Sequence, residues 1–326
     1  MLKRLPLTTI LSTAAATVCV VSLTSQNASA FGVSLGKWSY VRDSYTDSTG
    51  FASSDPRSSL YNTTAVGGTD FEIYGMAMRQ DGNRISVALN ANLGVGGWTT
   101  SDSRIAKNTV GSNAGIRNVG WGELIFNFSG KSKLSEAAPN QLFGVKFGQG
   151  NDSSLQAGLY SDITLKSVTS QNSGWASMSQ YNNYVNTHIG NTTGKNTSSL
   201  GELASNSSYF DQSKAAPTSI ASGTKVANDN FKMLDANALQ LLGLNFGQGL
   251  NAGSSKIGSQ TFGFSFTKTE AMKGSFLASL FEECGNDGIA AEGSIEAVPE
   301  PTTIMGTILG GFGLLTAKRK RNKIAH

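Results

Sequence analysis

The stretch FEIYGMAMRQDGNRISVALNANL, residues 71–93, decides the fold class. From Ile85 to Ala91 apolar side chains alternate with smaller or more polar ones, which predicts a strand with one buried face and one wet face. The Asp81-Gly82 pair lies between two β-rich runs, and both residues tolerate the positive φ of a tight hairpin turn. The stretch therefore predicts an antiparallel hairpin with strands at 71–79 and 84–93.

Further short β-rich runs lie on both sides of this hairpin, separated by loops rich in Gly, Ser, Asn and Asp. They predict strands at 38–41, 121–128, 161–168, 261–268, 276–284 and 289–295. One amphipathic helix is predicted at 175–189, and residues 190–225 are typical of a long polar loop. Because strands and helices do not alternate, the pattern favours a mostly β fold: a jelly-roll-like β-sandwich with one or two peripheral helices.

A ten-residue similarity suggests internal repetition. QLFGVKFGQG at 141–150 and QLLGLNFGQG at 240–249 share seven of ten residues. Each copy follows a short predicted helix, with Ser135 or Asp235 as N-cap and Gly144 or Gly243 as helix stop. The repeat indicates either a duplicated unit or a chance turn-and-strand motif. Under the first interpretation residues 31–298 form two halves, 31–170 and 220–298, with a polar segment between them.

Residues 1–30 have the pattern of a secretory signal peptide. Lys3 and Arg4 precede an apolar stretch, and Ala28-Ser29-Ala30 supplies the small-x-small pattern of a signal peptidase site. Cleavage is expected before Phe31. An uncleaved anchor and acylation at Cys19 are the alternatives. The cleavage pattern disfavours the anchor, and Val18 disfavours acylation because a small residue is expected before an acylated cysteine.

The other end carries an ordered series of signals. Val298-Pro299-Glu300-Pro301 precedes an apolar segment, 302–317, which as a helix would be about 24 Å long. A basic end, 318–323, follows and contains Lys318, Arg319, Lys320, Arg321 and Lys323. By the positive-inside rule the basic end stays cytoplasmic, so the segment predicts a short C-terminal transmembrane helix. A plain tail anchor is the alternative.

The series at residues 298–323 resembles the PEP-CTERM sorting signal. The resemblance implies recognition by a membrane-embedded exosortase, processing near the motif, and transient residence in the inner membrane. Segments WSY (38–40), FEIYGMA (71–77), WGEL (121–124), SDITLKSVT (161–169) and FEECGNDG (281–288) are similar to exosortase-dependent surface proteins found largely in cyanobacteria. That similarity implies a location at the cell surface, in the outer envelope or in extracellular matrix.

The charge of the ectodomain differs from that of the whole chain. The chain has 26 basic and 22 acidic residues; residues 1–30 hold two basic ones, and residues 299–326 hold five basic ones and Glu300. Residues 31–298 therefore carry 19 basic and 21 acidic residues, a net charge of −2. This balance disfavours nucleic acid as a partner. Only Cys284 remains after signal cleavage, so no disulfide is expected within the ectodomain, and burial of Cys284 is predicted.

The sequence supplies few groups for catalysis. His188 is the only histidine outside the C-terminal end, so neither a triad nor a histidine-based zinc site is expected. Paired carboxylates could hydrolyse glycosides, with Glu72, Glu123, Glu282 and Glu283 as candidates, although adjacent strand residues such as Glu282 and Glu283 point to opposite faces. The prediction is a non-enzymatic surface or matrix protein, with a glycoside hydrolase as the less favoured alternative.

The sequence also suggests two kinds of ligand, calcium and carbohydrate. Oxygen-rich loops make calcium the one cofactor to consider, although none matches a known calcium motif. The candidate ligands are Asp43, Asp47, Asp152 and Asp287. A carbohydrate-binding module that contacts exopolysaccharide is the main functional alternative, and it needs exposed aromatic rings. The candidate contacts are Trp98, Trp121 and Trp175, with Tyr181 and Tyr184.

Overall fold

The computed structural model describes residues 33–35, 37–50, 66–103, 105–108, 114–148, 153–188, 198–250 and 256–297, the first three as backbone only. With 41% strand and 14% helix, the protein is mostly β, as predicted. The strands are β1 (Val33–Leu35), β2 (Trp38–Arg42), β3 (Ile73–Asp81), β4 (Arg84–Ala91), β5 (Trp98–Thr100), β6 (Arg117–Val119), β7 (Leu124–Asn127), β8 (Leu142–Lys146), β9 (Gly158–Lys166), β10 (Ser199–Leu200), β11 (Leu203–Ala204), β12 (Ser219–Lys225), β13 (Lys232–Leu234), β14 (Gln260–Thr267), β15 (Gly274–Phe281) and β16 (Gly288–Ile295). The helices are α1 (Met178–Thr187), α2 (Ala236–Leu241) and α3 (Phe246–Gly249), with 3₁₀ turns at Leu134–Glu136, Pro139–Gln141 and Thr169–Asn172.

Two six-stranded antiparallel sheets organise these strands. The first sheet has the order β1-β2-β3-β4-β14-β13, and the second has the order β12-β9-β8-β7-β15-β16. Strands β5 and β6 form one small ribbon, and β10 and β11 form another. Strands from the N-terminal and C-terminal parts of the chain pair in both sheets, since β14 pairs with β4 and β15 pairs with β7. The two halves considered from the repeat therefore share both sheets.

The hairpin of the opening stretch is present as strands β3 and β4. Asp81 pairs with Arg84, so Gly82 and Asn83 form a two-residue turn. Gly82 has a φ of 60°. A glycine at the first central position is typical of the type II′ turn, whose twist matches that of the flanking strands.

Aromatic side chains from both sheets meet in the largest hydrophobic cluster. Phe264 of β14 stacks on Phe147, with ring centroids 4.7 Å apart. Phe266 of the same strand meets Phe126 of β7 edge to face at 6.2 Å. Because β14 belongs to the first sheet and β7 to the second, these contacts fix the two sheets to each other.

Strand β4 differs from its prediction, because both of its faces are covered. The alternation predicts a wet face, yet every residue from Ile85 to Ala91 is buried. Helices α2 and α3 lie on the outer face of the first sheet, where Leu239 and Phe246 pack with Ala88. The small residues on that face leave room for the helices. Sequence periodicity alone does not predict that helices from elsewhere in the chain pack on this face.

The outer side of the second sheet is covered by residues 169–188 and 198–218, here called the covering segment. It contains helix α1, which lies within the predicted helix at 175–189 but begins later, with Ser177 as N-cap accepting a hydrogen bond from the backbone N–H of Gln180. Phe210 of this segment meets Phe281 of β15 edge to face at 5.3 Å. Residues 190–225 are predicted to be a loop, but residues 219–225 form edge strand β12, which pairs with β9.

The ten-residue repeat adopts different structures in its two copies. In the first copy, Gly144 lies inside strand β8 and is no helix stop. In the second copy, Asp235 caps helix α2 as predicted, and Gly243 follows that helix with a φ of 84°. The first copy pairs with β7 and β9 in a sheet, so its neighbours select the strand. Ser135 lies in a 3₁₀ turn and caps no α-helix. The similarity is therefore not a structural duplication.

The described residues contain no helix that is long and apolar enough to cross a membrane. The segment expected to do so, 302–317, lies outside the described residues, as do both predicted processing sites at Ala28, Ala30 and Phe31 and at Val298 to Pro301 with Lys318 to Arg321. Cys284 is fully buried, in agreement with its predicted role as a small core residue.

Candidate functional site

Three aspartates that are far apart in the sequence meet inside the protein. Asp43 follows β2, Asp47 lies four residues later, and Asp287 lies in the turn between β15 and β16. Carboxylate oxygens of all three lie within 4.8 Å of one another, and all three residues are buried. A backbone hydrogen bond of 2.9 Å from Thr49 N–H to the Asn286 carbonyl holds the first loop against this turn.

Asp43 and Asp47 each have one oxygen that is bound and one that is free. Asp43 Oδ1 accepts a hydrogen bond from the backbone N–H of Gly201 at 2.9 Å, and Asp47 Oδ2 accepts one from Ser199 at 2.6 Å. Asp43 Oδ2 and Asp47 Oδ1 are buried and have no hydrogen-bond partner. The backbone at β10 thus orients both carboxylates and leaves an oxygen of each available to a ligand.

Asp287 connects the turn of the second sheet to a strand of the first. Its Oδ2 accepts a hydrogen bond from the backbone N–H of Ile73 at 2.8 Å, and its Oδ1 accepts one from Gly288 at 2.8 Å. Both bonds suit an ionised carboxylate, which only accepts. The turn Gly285-Asn286-Asp287-Gly288 was expected from sequence, but its contact with β3 depends on how the sheets pack.

Two glutamates surround the three aspartates. Glu72 Oε2 accepts hydrogen bonds from the Ser48 hydroxyl, at 2.6 Å, and from the backbone N–H of Gly68. Its Oε1 has no partner, and neither carboxylate oxygen of Glu282 has one. The side-chain oxygen of Asn286 is also buried without a partner. We name Asp43, Asp47, Glu72, Glu282 and Asp287 the acidic cluster.

Burial raises the pKa of every carboxyl group in the acidic cluster. Desolvation raises the pKa of Asp43 to about 7 and that of Glu72 to about 8. The pKa values of Asp47, Glu282 and Asp287 are raised well above the ordinary range, first by desolvation and then by the neighbouring carboxylates. Within the described part of the chain, no lysine or arginine forms an ion pair with these five side chains. The cluster therefore favours either bound protons or a bound cation.

Aromatic residues predicted to contact glycans support the cluster. The Tyr181 hydroxyl donates a hydrogen bond of 2.9 Å to the Asp47 carbonyl, and the Trp175 indole N–H donates one of 3.0 Å to the Thr49 hydroxyl. Trp175 and Tyr181 are buried, so neither ring offers a face to a sugar. Helix α1 thus holds the loop that carries Asp47.

The other predicted site residues have separate locations. Trp121 is fully buried in the main core, and its indole N–H donates to the Gly94 carbonyl at 3.0 Å. Trp98 is half-buried beside that core. His188 stacks on the half-buried Tyr184, with ring centroids 3.8 Å apart, on the exposed end of α1. Asp152 lies outside the described residues.

The four glutamates considered for hydrolysis fall into two groups. Glu72 and Glu282 belong to the acidic cluster. Glu123 Oε2 accepts from the backbone N–H of Ile220 at 2.9 Å, and its Oε1 lies 3.8 Å from Lys146 Nζ. Glu283 Oε2 accepts from the backbone N–H of Gly120 at 2.7 Å. Glu282 and Glu283 thus have different surroundings, as expected for adjacent residues.

A separate cavity lies between the covering segment and the second sheet. It has a volume of about 390 Å³ and is mainly apolar, with Asp211 and Lys214 as its charged lining residues. A much smaller cavity of about 10 Å³ touches the acidic cluster at Asp287. Asp287 is the one member of the acidic cluster that lines either of these two cavities, so neither of them places a sugar-sized space against the cluster.

Sequence reasoning missed the location of Glu72 beside the aspartates and the roles of the backbone at Ser199 and Gly201. Glu72 was considered only as an acid for glycoside hydrolysis, and the two backbone N–H groups carry no sequence signal. Comparison of the chain with protein-family models, with characterised proteins and with solved structures finds no match.

Proposed function

We propose that this chain is an exported, non-enzymatic protein of the cell surface or extracellular matrix, processed by signal peptidase and then by an exosortase. Its ectodomain is a jelly-roll-like β-sandwich, and its tail holds it in the inner membrane until processing. The observation that carries this proposal is the agreement between the described sheets and the two predicted processing points.

All described strands lie between the two predicted processing sites. Strand β1 begins at Val33, two residues after the expected first mature residue, Phe31. Strand β16 ends at Ile295, three residues before Val298. Removal of the leader and the tail would therefore leave every described strand intact. This is the arrangement that a protein matured at both ends requires, because a cut within an edge strand would break its pairing.

The location of the acids supports a structural role over hydrolysis. A glycosidase places two carboxyl groups about 5 to 9.5 Å apart on either side of a bound sugar. Here Glu72 and Glu282 are buried at the acidic cluster, and Glu123 and Glu283 hold backbone N–H groups. The cavity large enough for a sugar has Asp211 as its one acidic lining residue.

Sorting can be tested by fractionating the native host with and without its exosortase and by measuring the intact mass of the protein. The expected form in the first strain begins at Phe31, lacks the basic end, and is found at the surface or in the medium. A variant with Pro299→Ala and Glu300→Ala should keep its tail and stay in the inner membrane. An Asp211→Asn variant, altered only at the ectodomain surface, is the matched control. A full-length tail in the inner membrane of both strains would contradict the proposal.

Carbohydrate binding is the second candidate function, and the partial exposure of the Trp98 ring favours it. Its half-buried ring lies on β5, edge to face with Phe71 at 6.2 Å. If the protein binds exopolysaccharide through this ring, Trp98→Ala should weaken binding about tenfold, since one aromatic contact contributes about 1–3 kcal/mol by analogy with base stacking. Binding to a glycan array before and after the substitution measures this, and equal binding by both proteins would exclude Trp98.

A further inference from the structure

We propose that Asp43, Asp47 and Asp287 bind one calcium ion in the interior of the ectodomain. The geometry points to these three because their carboxylate oxygens converge within 4.8 Å. Calcium in proteins lies 2.3–2.6 Å from its oxygen ligands, so oxygens on opposite sides of one ion are about 5 Å apart. The spacing of the three carboxylates therefore matches ligands that surround a common centre. The proposal does not depend on export or on tail processing.

The free oxygens are the independent sign of a ligand. Asp43 Oδ2 and Asp47 Oδ1 are buried without partners, while the second oxygen of each side chain is held by a backbone N–H. A buried polar atom without a partner is costly, and a buried charge is stable only when it is paired or coordinates a metal. Converging buried carboxylates, two of which keep an oxygen without a hydrogen-bond partner, are typical of a cation site.

The donor atoms favour calcium over other metals. Zinc prefers nitrogen and sulfur ligands, and the only described histidine, His188, lies on the exposed end of α1. Magnesium usually keeps several of its waters, whereas this site offers several buried protein oxygens close together. Calcium takes six to eight oxygens, including amide and carboxylate oxygens. Glu72 Oε1 and Asn286 Oδ1, both buried and without partners, are available to complete such a set.

The site joins three parts of the fold. Asp43 and Asp47 belong to the loop after β2 of the first sheet, and Asp287 belongs to the turn between β15 and β16 of the second sheet. The backbone at Ser199 and Gly201, which holds the aspartates, belongs to the covering segment. A bound ion would neutralise the repulsion among these carboxylates and fix all three parts together. Calcium is therefore expected to act as a structural ion.

The test uses the full-length chain in detergent, freed of metal with a chelator. Isothermal titration should show one calcium ion bound per chain, and calcium at a hundredfold excess over its Kd should raise the Tm by about 5 °C or more. Equal magnesium should raise the Tm by less than about 1 °C. Terbium, a calcium substitute, should show emission sensitised by the nearby Trp175 and Tyr181, and calcium should displace it.

Variants then assign the site. Asp43→Asn and Asp47→Asn keep the side-chain shape and remove a charge, and each should weaken calcium binding at least about tenfold. Asp211→Asn, at an exposed ion pair with Lys214, is the matched control and should bind as the wild type does. The terbium measurement on the wild type needs no variant, so it decides the matter even if an aspartate variant does not fold. Absence of both calcium binding and terbium emission in the wild type, or unchanged binding in both variants, would overturn the proposal.

Discussion

Replacing Trp121 with alanine is expected to lower the free energy of unfolding by about 3–5 kcal/mol, the usual cost of removing a large buried aromatic side chain. The indole ring is fully buried and meets Phe262 edge to face at 5.7 Å. It also lies 6.2 Å from Phe147, so the ring fills space between β14 and the end of β8. The substitution leaves a cavity and removes the indole N–H that donates a hydrogen bond to the Gly94 carbonyl. Urea denaturation followed by circular dichroism measures the change.

Trp98→Ala is the matched control for this experiment. Trp98 is half-buried at the edge of the same core, so its loss should cost about 1 kcal/mol. The two variants separate the roles that sequence reasoning assigned to these tryptophans together. If Trp121→Ala were as stable as Trp98→Ala, the packing between the two sheets would differ from that described here. The comparison therefore also tests the contact between the sheets.

The calcium-free protein is expected to become less stable as the pH rises from 5 to 9. The pKa of Asp43 rises from 3.8 to about 7 on folding, and that of Glu72 rises from 4.5 to about 8. The folded state therefore holds protons that the unfolded chain has already released, and this contribution is fully present below the unfolded pKa values. It is lost as the pH rises through about 7 and 8, because stability falls with pH wherever the folded state binds more protons.

The expected loss is about 3 kcal/mol or more between pH 5 and pH 9, at about 1.4 kcal/mol for each pKa unit. Denaturant midpoints measured with a chelator across this range give the slope. Asp43→Asn cannot release a proton at this position and should show a smaller slope. Saturating calcium should also reduce the loss, since the ion stabilises the ionised carboxylates. A stability that is constant or rises over this range in the chelated wild type would contradict the described burial of Asp43 and Glu72.

The fold class was accessible from sequence because its evidence is local. The alternation near Ile85 and the Asp81-Gly82 pair predicted the hairpin, and the spacing of residues in 175–189 predicted helix α1. The strand after the turn at Asn286 was predicted at 289–295 and is present as β16. These features depend on contacts between neighbours in the chain. The helical cover on β4 and the edge strand at residues 219–225 could not be predicted, since both depend on partners distant in sequence.

The ten-residue repeat shows that local sequence alone does not determine secondary structure. The segment at 141–150 contains strand β8, whereas the similar segment at 240–249 forms the end of helix α2 and helix α3. In the first copy the backbone pairs with two neighbouring strands, while in the second Asp235 supplies a helix cap. Local preference is weak compared with such partners, so the same sequence follows its surroundings. Ten similar residues therefore gave no basis for a duplicated domain.

By itself the sequence determined the mostly β class, the turns and the order of signals that predicts export and tail processing, because each is written in a short run of residues. Only the tertiary structure decided that Asp43, Asp47 and Asp287 form one site, and that Trp121 and Trp175 belong to the interior. Asp43 and Asp287 are 244 residues apart, and what unites them is the packing of two sheets and the backbone at Ser199 and Gly201. Local sequence patterns predict individual strands, helices and turns. A buried cluster of acidic side chains depends on which of these elements pack against one another.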